Sequence, residues 1–309
     1  MIAVSCGRPR TLGALPDVPL QQRAPAAPAF LPAALALARR EAVRFLRQRN
    51  RVIGAVATPL VFWLLLGLGL DRAAPIAAEP SATVPGMNQP TEGASALSLI
   101  GGEASSEVGY FAFFFPGILL LMVLFTAIFT TITVIEDRRE GFLQAVLVSP
   151  ASRTSIIVGK VIGGTLITLV QAVLMLALGA LLVGGPGLGG LLLTVGIVAV
   201  LSVTLTALGL CLAWPMDSTA GFHALMNLLL MPMWFLSGAV FPAATAGLMK
   251  PLIYLNPLSY GFDLLAAAWN PALNSVGLGL PAAVSLLILA AFTGALLVIA
   301  TRLAHRPAR

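Results

Sequence analysis

Charge is what this sequence lacks most. Only 10% of its 309 residues are Asp, Glu, Lys or Arg, against about 25% in ordinary soluble domains. Too few polar side chains are present to cover a water-facing surface. Histidine is nearly missing, with His223 and His305 alone. An intramembrane transferase or protease needs paired acids, a His-rich cluster or a Ser/His set at one depth, so that class is a poor rival. The cysteines are Cys6 and Cys211, far apart, with Cys211 inside an apolar run. Neither has His or Cys neighbours at metal-ligand spacing, which argues against a disulfide framework or a metal site.

What is present is apolar. Hydrophobic residues make up 58% of the chain, and the mean hydropathy is +0.96. A bilayer-spanning helix needs roughly 20 consecutive apolar residues, and six such runs occur, at 52–70, 110–135, 156–183, 188–214, 222–241 and 281–301. Pro59, Pro116 and Pro232 fall inside them, which membrane helices tolerate better than soluble ones. Soluble enzyme, disulfide scaffold and disordered chain are excluded. The expected fold is an all-α polytopic membrane protein with six transmembrane helices.

The net charge of +6 could point to nucleic acid, but its distribution favours the membrane. Sixteen Lys and Arg fall before the first span, around the second connection and after the last span; the alternate loops hold Arg72 and Lys250. By the positive-inside rule both termini face the cytoplasm, and the number of spans is even. Residues 1–31 carry no continuous apolar segment with a small-residue cleavage site, so no secretory signal is expected there. They read as a disordered cytoplasmic arm, or as the product of an over-extended start. Residues 32–301 read as one transmembrane domain, and 302–309 as a cytoplasmic tail.

Residues 32–51 have helical periodicity. Leu35, Ala38, Ala42 and Phe45 recur on one side, and Arg40, Arg44, Arg47 and Arg51 on the other. A basic amphipathic helix lies in the headgroup layer, with Arg at phosphates and apolar side chains at the acyl boundary; the plainer alternative is a positive-inside anchor. A second amphipathic element follows the second span. Phe142, Leu143, Val146 and Leu147 form an i, i+1, i+4, i+5 stripe, Pro150 disfavours helix at Ser149, and Ser152 can cap the next span. With charge at both ends, this short helix suits docking of a cytoplasmic partner or, equally by periodicity, a connector resting on the membrane.

Other features are less specific. The outer loop 71–109 is acidic and rich in Pro, Gly and Ser, and Gly184-Gly185-Pro186-Gly187 is a tight external turn. Gly159 and Gly163 form a small-xxx-small contact motif. Asp217 and His223 read as a solvated loop. Phe111, Phe113, Phe114 and Phe115 could line a path for a lipophilic substrate, although lipid-facing packing is the better reading. Asn256-Pro257 is a helix start, with Asn as cap and Pro at the first position. Short helices are expected at 246–255 and 257–269, on the outer face or re-entrant. No carboxylate or His sits in the middle of a span, which argues against ion-coupled transport by a stand-alone secondary transporter. A nucleotide-binding P-loop requires Gly, four residues, then Gly-Lys-Ser/Thr. Around Gly159-Lys160, Thr154 replaces the first Gly and Val161 the Ser/Thr.

Two ordered motifs carry a family resemblance. Glu140, Gly141, Leu143, Ser149, Pro150, Arg153, Gly159 and Lys160 fill a pattern similar to the region after the second span in permease subunits of ABC-2-type exporters. Phe235-Leu236-Ser237-Gly238-Ala239-Val240-Phe241-Pro242 and Asn256-Pro257-Leu258-Ser259-Tyr260-Gly261-Phe262-Asp263 resemble that family's fifth-span exit and the turn beyond it. Gln144 stands where the family often has Glu, and Asp263 lacks the basic residue that often follows two or three positions on.

The resemblance implies a bacterial inner-membrane exporter subunit with no catalytic, metal or cofactor site of its own. It would work with a second permease copy, identical or related, and two ATPase subunits that bind ATP and Mg, moving a drug-like compound, a lipid or a lipid-linked glycan. It places ATPase coupling at Glu140, Gly141, Phe142, Leu143, Val146, Leu147, Ser149, Pro150 and Arg153. It puts an interface helix with Arg40, Arg44, Arg47 and Arg51 beside that site, and an external gate around Asn256, Pro257 and Tyr260.

Overall fold

The computed structural model describes residues 30–78, 110–142, 146, 152–240, 249–270, 273 and 277–305. The side chains of residues 49–51 and 70–78 are not among those described. Residues 1–29, the outer loop from 79 to 109, and Leu143, Leu147, Ser149 and Pro150 also lie outside the described residues. All regular structure among the described residues is helical.

Among the described residues six helices are long and apolar enough to cross a membrane: Val52–Gly69, Phe111–Arg139, Arg153–Val183, Leu188–Ala213, Thr219–Ala239 and Ala282–His305, called spans 1 to 6 below. Their positions match the apolar runs in the sequence. Spans 2 and 3 are longer than expected, at 29 and 31 residues. At 1.5 Å per residue each exceeds about 40 Å, against a hydrocarbon core of about 30 Å. The excess lies at the end of span 2 and the start of span 3, where the charged residues are.

Span 2 is the central element, packed against spans 1, 3 and 4. From Phe115 to Thr131 it buries every residue except Phe129. Its helix is interrupted at Ile132, whose N–H bonds the Phe129 carbonyl at 3.4 Å. The hydroxyls of Thr130, Thr131 and Thr133 each donate to the carbonyl three residues back, at 2.6–2.8 Å. Such back-bonding draws carbonyls out of the ladder and bends a helix.

The aromatic cluster at the start of span 2 faces protein. Phe113, Phe114 and Phe115 are all buried. Trp63 of span 1 stacks on Phe111 with centroids 4.4 Å apart, and its Nε1 donates to the Phe111 carbonyl at 2.9 Å. Trp269 lies 4.1 Å from Phe115. The lipid-facing reading of this cluster is therefore corrected: the rings close the bundle around span 2.

Between spans 5 and 6 the chain turns back into the protein. Span 5 contains Pro232 and ends in a π-helical turn, Phe235–Ala239, where Gly238 takes φ +94°. Of the first short helix, expected over 246–255, Lys250–Leu255 is helical, and residues 241–248 lie outside the described residues. The second, Pro257–Trp269, is buried on nearly all sides against spans 2, 4 and 6, so it lies within the bundle and not on an outer face. Asn256 caps it, accepting from the Leu258 N–H at 3.1 Å while donating to the Met233 carbonyl at 2.6 Å.

Asp263, without a basic neighbour in sequence, is buried and satisfied by neutral donors. The Leu278 N–H reaches Oδ1 at 3.0 Å and the Ser285 hydroxyl reaches Oδ2 at 2.6 Å. It thereby pins the entry of span 6 to the buried helix. Gly277 sits against it, since a Cβ there would fall 2.3 Å from Oδ1. Asp263→Ala is expected to lower stability by about 1–3 kcal/mol, the cost of orphaning buried donors, and Asp263→Asn by less. A melting curve of the purified protein in detergent tests this; equal melting of Asp263→Ala and wild type would refute it.

Candidate functional site

The first helix, Phe30–Arg47, ends at Gln48, and Arg51 belongs to the next helix, Arg49–Ala78. The interface helix expected over 32–51 is thus shorter at its C-terminal end. Its buried stripe is Ala34, Ala38, Glu41 and Phe45, spaced 4, 3 and 4. Leu35, expected on the apolar face, is 50% exposed, and Glu41 occupies the buried side instead.

This helix runs along the first half of span 3. A Cβ on Gly159 would come 2.8 Å from the Ala34 carbonyl oxygen, and one on Gly163 would come 2.9 Å from the Glu41 Cβ. Further along, Phe45 packs with Ile167. The small-xxx-small motif therefore has a definite partner, and it is the first helix. The backbone carbonyl cannot move aside as a side chain could. Gly159→Ala is therefore expected to cost about 1–3 kcal/mol, as overpacking does, read as a lower melting temperature; no change would remove this contact from the account.

Close approach brings a set of charges together. Lys160, between the two glycines, donates from Nζ to Glu41 at 2.5 Å, to Asp137 at 2.8 Å and to the Thr133 hydroxyl at 3.1 Å. Asp137 also accepts from Arg40 at 2.9 Å and from Arg44 at 2.5 Å. Arg44 reaches further to Glu136 at 3.2 Å and Glu140 at 2.8 Å. The side chains of Asp137, Glu41 and Lys160 are 1%, 6% and 7% exposed. Each of these buried groups meets a partner of opposite charge, the condition under which burying charge is tolerated. Burial alone would lower the pKa of Arg44, but Asp137, Glu140 and Glu136 together outweigh it, and the net direction is upward.

The cluster ties three elements together at one end of the bundle: the first helix, the end of span 2 and the start of span 3. Span 2 then terminates at Glu140. Gly141 adopts φ +76°, a conformation suited to glycine at a helix C-terminus, with no crowding to require it. The turn swings Phe142 under Arg40, whose guanidinium lies 3.6 Å from the ring centroid. Phe142 and Val146 are half-buried, and Val146 packs against the main core.

Ser152 caps span 3 as expected, accepting from the Ser155 N–H at 3.1 Å. Arg153 donates to the Ala304 carbonyl at 3.1 Å, tying span 3 to the end of span 6. Arg138 and Arg139 hold the turn between spans 4 and 5, through the Asp217 carboxylate at 2.8 Å and its carbonyl at 2.9 Å. Asp217 is thus exposed, at 84%, yet ion-paired. His223 is exposed, with its ring 5.7 Å from Phe129.

Of the expected coupling residues, Glu140, Gly141 and Phe142 are gathered beside the cluster, and Arg153 anchors a neighbouring helix end. Arg40 and Arg44 face carboxylates, which corrects the expectation that they point to phosphates. Arg47 is exposed, and the Arg51 side chain lies outside the described residues. Asn256, Pro257 and Tyr260 are together in the buried hairpin; the Tyr260 hydroxyl donates to the Tyr254 carbonyl at 2.7 Å. The residues missed from sequence are Glu41, Asp137 and Lys160. Glu41 carried a signal, since it continues the Ala34–Ala38–Phe45 stripe. Lys160 carried one too, flanked by the glycines of a helix-contact motif. Among the described residues no group of acids, His and Cys could hold a metal ion.

Comparison with known proteins gives concordant matches. A family profile described as ABC-2 type transporter matches residues 32–269. The chain is 26% identical to YbhR of Escherichia coli K12, named as a multidrug ABC transporter permease, over 138 residues, 44% of this chain and 38% of that protein. It is also 26% identical to ycf38 of Cyanophora paradoxa, named as a transport permease, over 160 residues, 51% of this chain and 55% of that protein. The matched stretches thus span about two fifths to just over half of the relatives' own lengths.

Proposed function

From the premise that this chain belongs to the ABC-2 type transporter family and is a multi-pass membrane protein, we propose that it is the permease subunit of an ATP-driven exporter. Two permease copies form the pathway, and two separate ATPase subunits bind ATP and Mg beneath them. Both termini face the cytoplasm of a bacterial inner membrane, following the Lys and Arg asymmetry. The cargo is lipophilic or amphipathic, in keeping with spans whose charges gather at their ends.

One observation carries the reading. The segment beginning at Phe142 leaves span 2 beside a buried charge cluster that also grips the first helix and span 3. A force applied at Phe142 by a closing ATPase would reach three elements at once through short ionic contacts. Coupling requires that the ATPase contact this end differently in its two states, and a foothold shared by three elements would pass such a difference on to the spans. The expected result of tagging the chain, solubilising the membrane in mild detergent and identifying what co-purifies is a stoichiometric P-loop ATPase. A folded, monodisperse protein recovered without one would overturn the reading.

A further inference from the structure

The arginines of the first helix fall into two groups. Arg40 and Arg44 are engaged by carboxylates. Arg39 and Arg47 are exposed and have no ion-pair partner among the described residues. Together with Gln48 these four line a groove of about 610 Å³ on the outer side of the helix. At its lip the Gln48 Oε1 is buried with no hydrogen-bond partner among the described residues. The groove therefore presents unpaired positive charge, in a place where the neighbouring acids are already used by the inner arginines.

Beside it runs a second exposed arc. At 100° per residue, Leu31, Leu35 and Leu46 fall between the buried stripe and Arg39, and they are 60%, 50% and 63% exposed. A basic groove bordered by exposed leucines matches one ligand, with a phosphate at one end and hydrocarbon at the other. We propose that the groove binds the headgroup phosphate of an anionic phospholipid, with Arg39 and Arg47 as its counter-charges and the leucine arc against its acyl chains. This rests on the permease reading only in placing the helix at the cytoplasmic membrane face. A bound lipid holds the first helix from its outer side while the charge cluster holds it from the inner side. Occupancy thus steadies the helix on span 3.

The test uses the purified full chain, with any co-purifying subunits, in nanodiscs of phosphatidylcholine alone or with phosphatidylglycerol, read by melting temperature across a phosphatidylglycerol series. Wild type is expected to gain stability with phosphatidylglycerol. The Arg39→Gln/Arg47→Gln variant is expected to stay folded in phosphatidylcholine and to need roughly 25-fold more phosphatidylglycerol, about fivefold per arginine. An equal response in the two proteins, or none in wild type, overturns the proposal. Inorganic phosphate in solution separates the sources: if it stabilises wild type as fully as the lipid does, the groove takes a free anion and the lipid assignment falls. If the variant instead loses a co-purifying subunit with its lipid response unchanged, the arginines face protein, and the proposal falls again. A lipid response in a preparation that never retains an ATPase leaves the groove standing and removes the exporter reading.

Discussion

Lys160→Met is expected to lower the stability of the protein by about 3–5 kcal/mol, the cost of leaving a buried charge without its partner. Set against a total of about 5–15 kcal/mol for a typical fold, that is enough to lose most of the monodisperse protein at a working temperature. All three ammonium donors of Lys160 are in use, on Glu41, Asp137 and Thr133. Asp137 would keep Arg40 and Arg44. Among the described residues Glu41 would keep only Arg40, at 3.7 Å, so the loss falls mainly on Glu41.

That asymmetry gives a control. In Glu41→Gln/Lys160→Met both members of the pair are gone, and most of the stability should return, because a buried ion pair is costly to break and adds little when replaced as a unit. A double variant as unstable as Lys160→Met would show that packing beside Gly159 and Gly163, and not charge, sets the cost. A single variant that melts within a degree or so of wild type would remove the cluster as a structural foothold.

The spans were legible because a bilayer imposes a length and a composition that few other structures share. The caps at Ser152 and Asn256 were legible for a similar reason, since each needs only its own side chain and the next turn. What could not be read was which face of a helix meets which neighbour. Helical periodicity reads Leu35, Ala38, Ala42 and Phe45 as the apolar stripe of the first helix. The fold chose the stripe with Ala34, Ala38 and Glu41, because small residues allow contact with Gly159 and Gly163. Glutamate on a buried stripe is a cost in isolation and becomes acceptable only where a lysine from another helix arrives. Likewise Phe111–Phe115 read as lipid-facing from composition, since aromatic residues suit lipid and protein interiors alike, and only the positions of Trp63 and Trp269 decide between them.

On the exporter reading proposed above, Phe142→Asp is expected to leave membrane insertion intact and to release the ATPase subunit, with recovery in a pull-down falling at least tenfold. Removing an aromatic anchor from an interface commonly costs about 2 kcal/mol or more, roughly a thirtyfold change in affinity. Phe142 is also the ring beneath Arg40, and an introduced carboxylate would compete with Asp137 for that guanidinium. Phe142→Ala separates the two. It forfeits a cation–π contact of about 0.5–1 kcal/mol without adding a rival acid, so the cluster should hold and the melting temperature should move little. If both variants lose the ATPase while Phe142→Ala melts nearly as wild type does, Phe142 touches the partner directly. If ATPase recovery instead falls only in step with melting temperature, Phe142 acts through Arg40 on the cluster, and the docking surface lies elsewhere on this end of the bundle. Wild-type recovery of the ATPase with Phe142→Asp would remove the segment from the interface altogether.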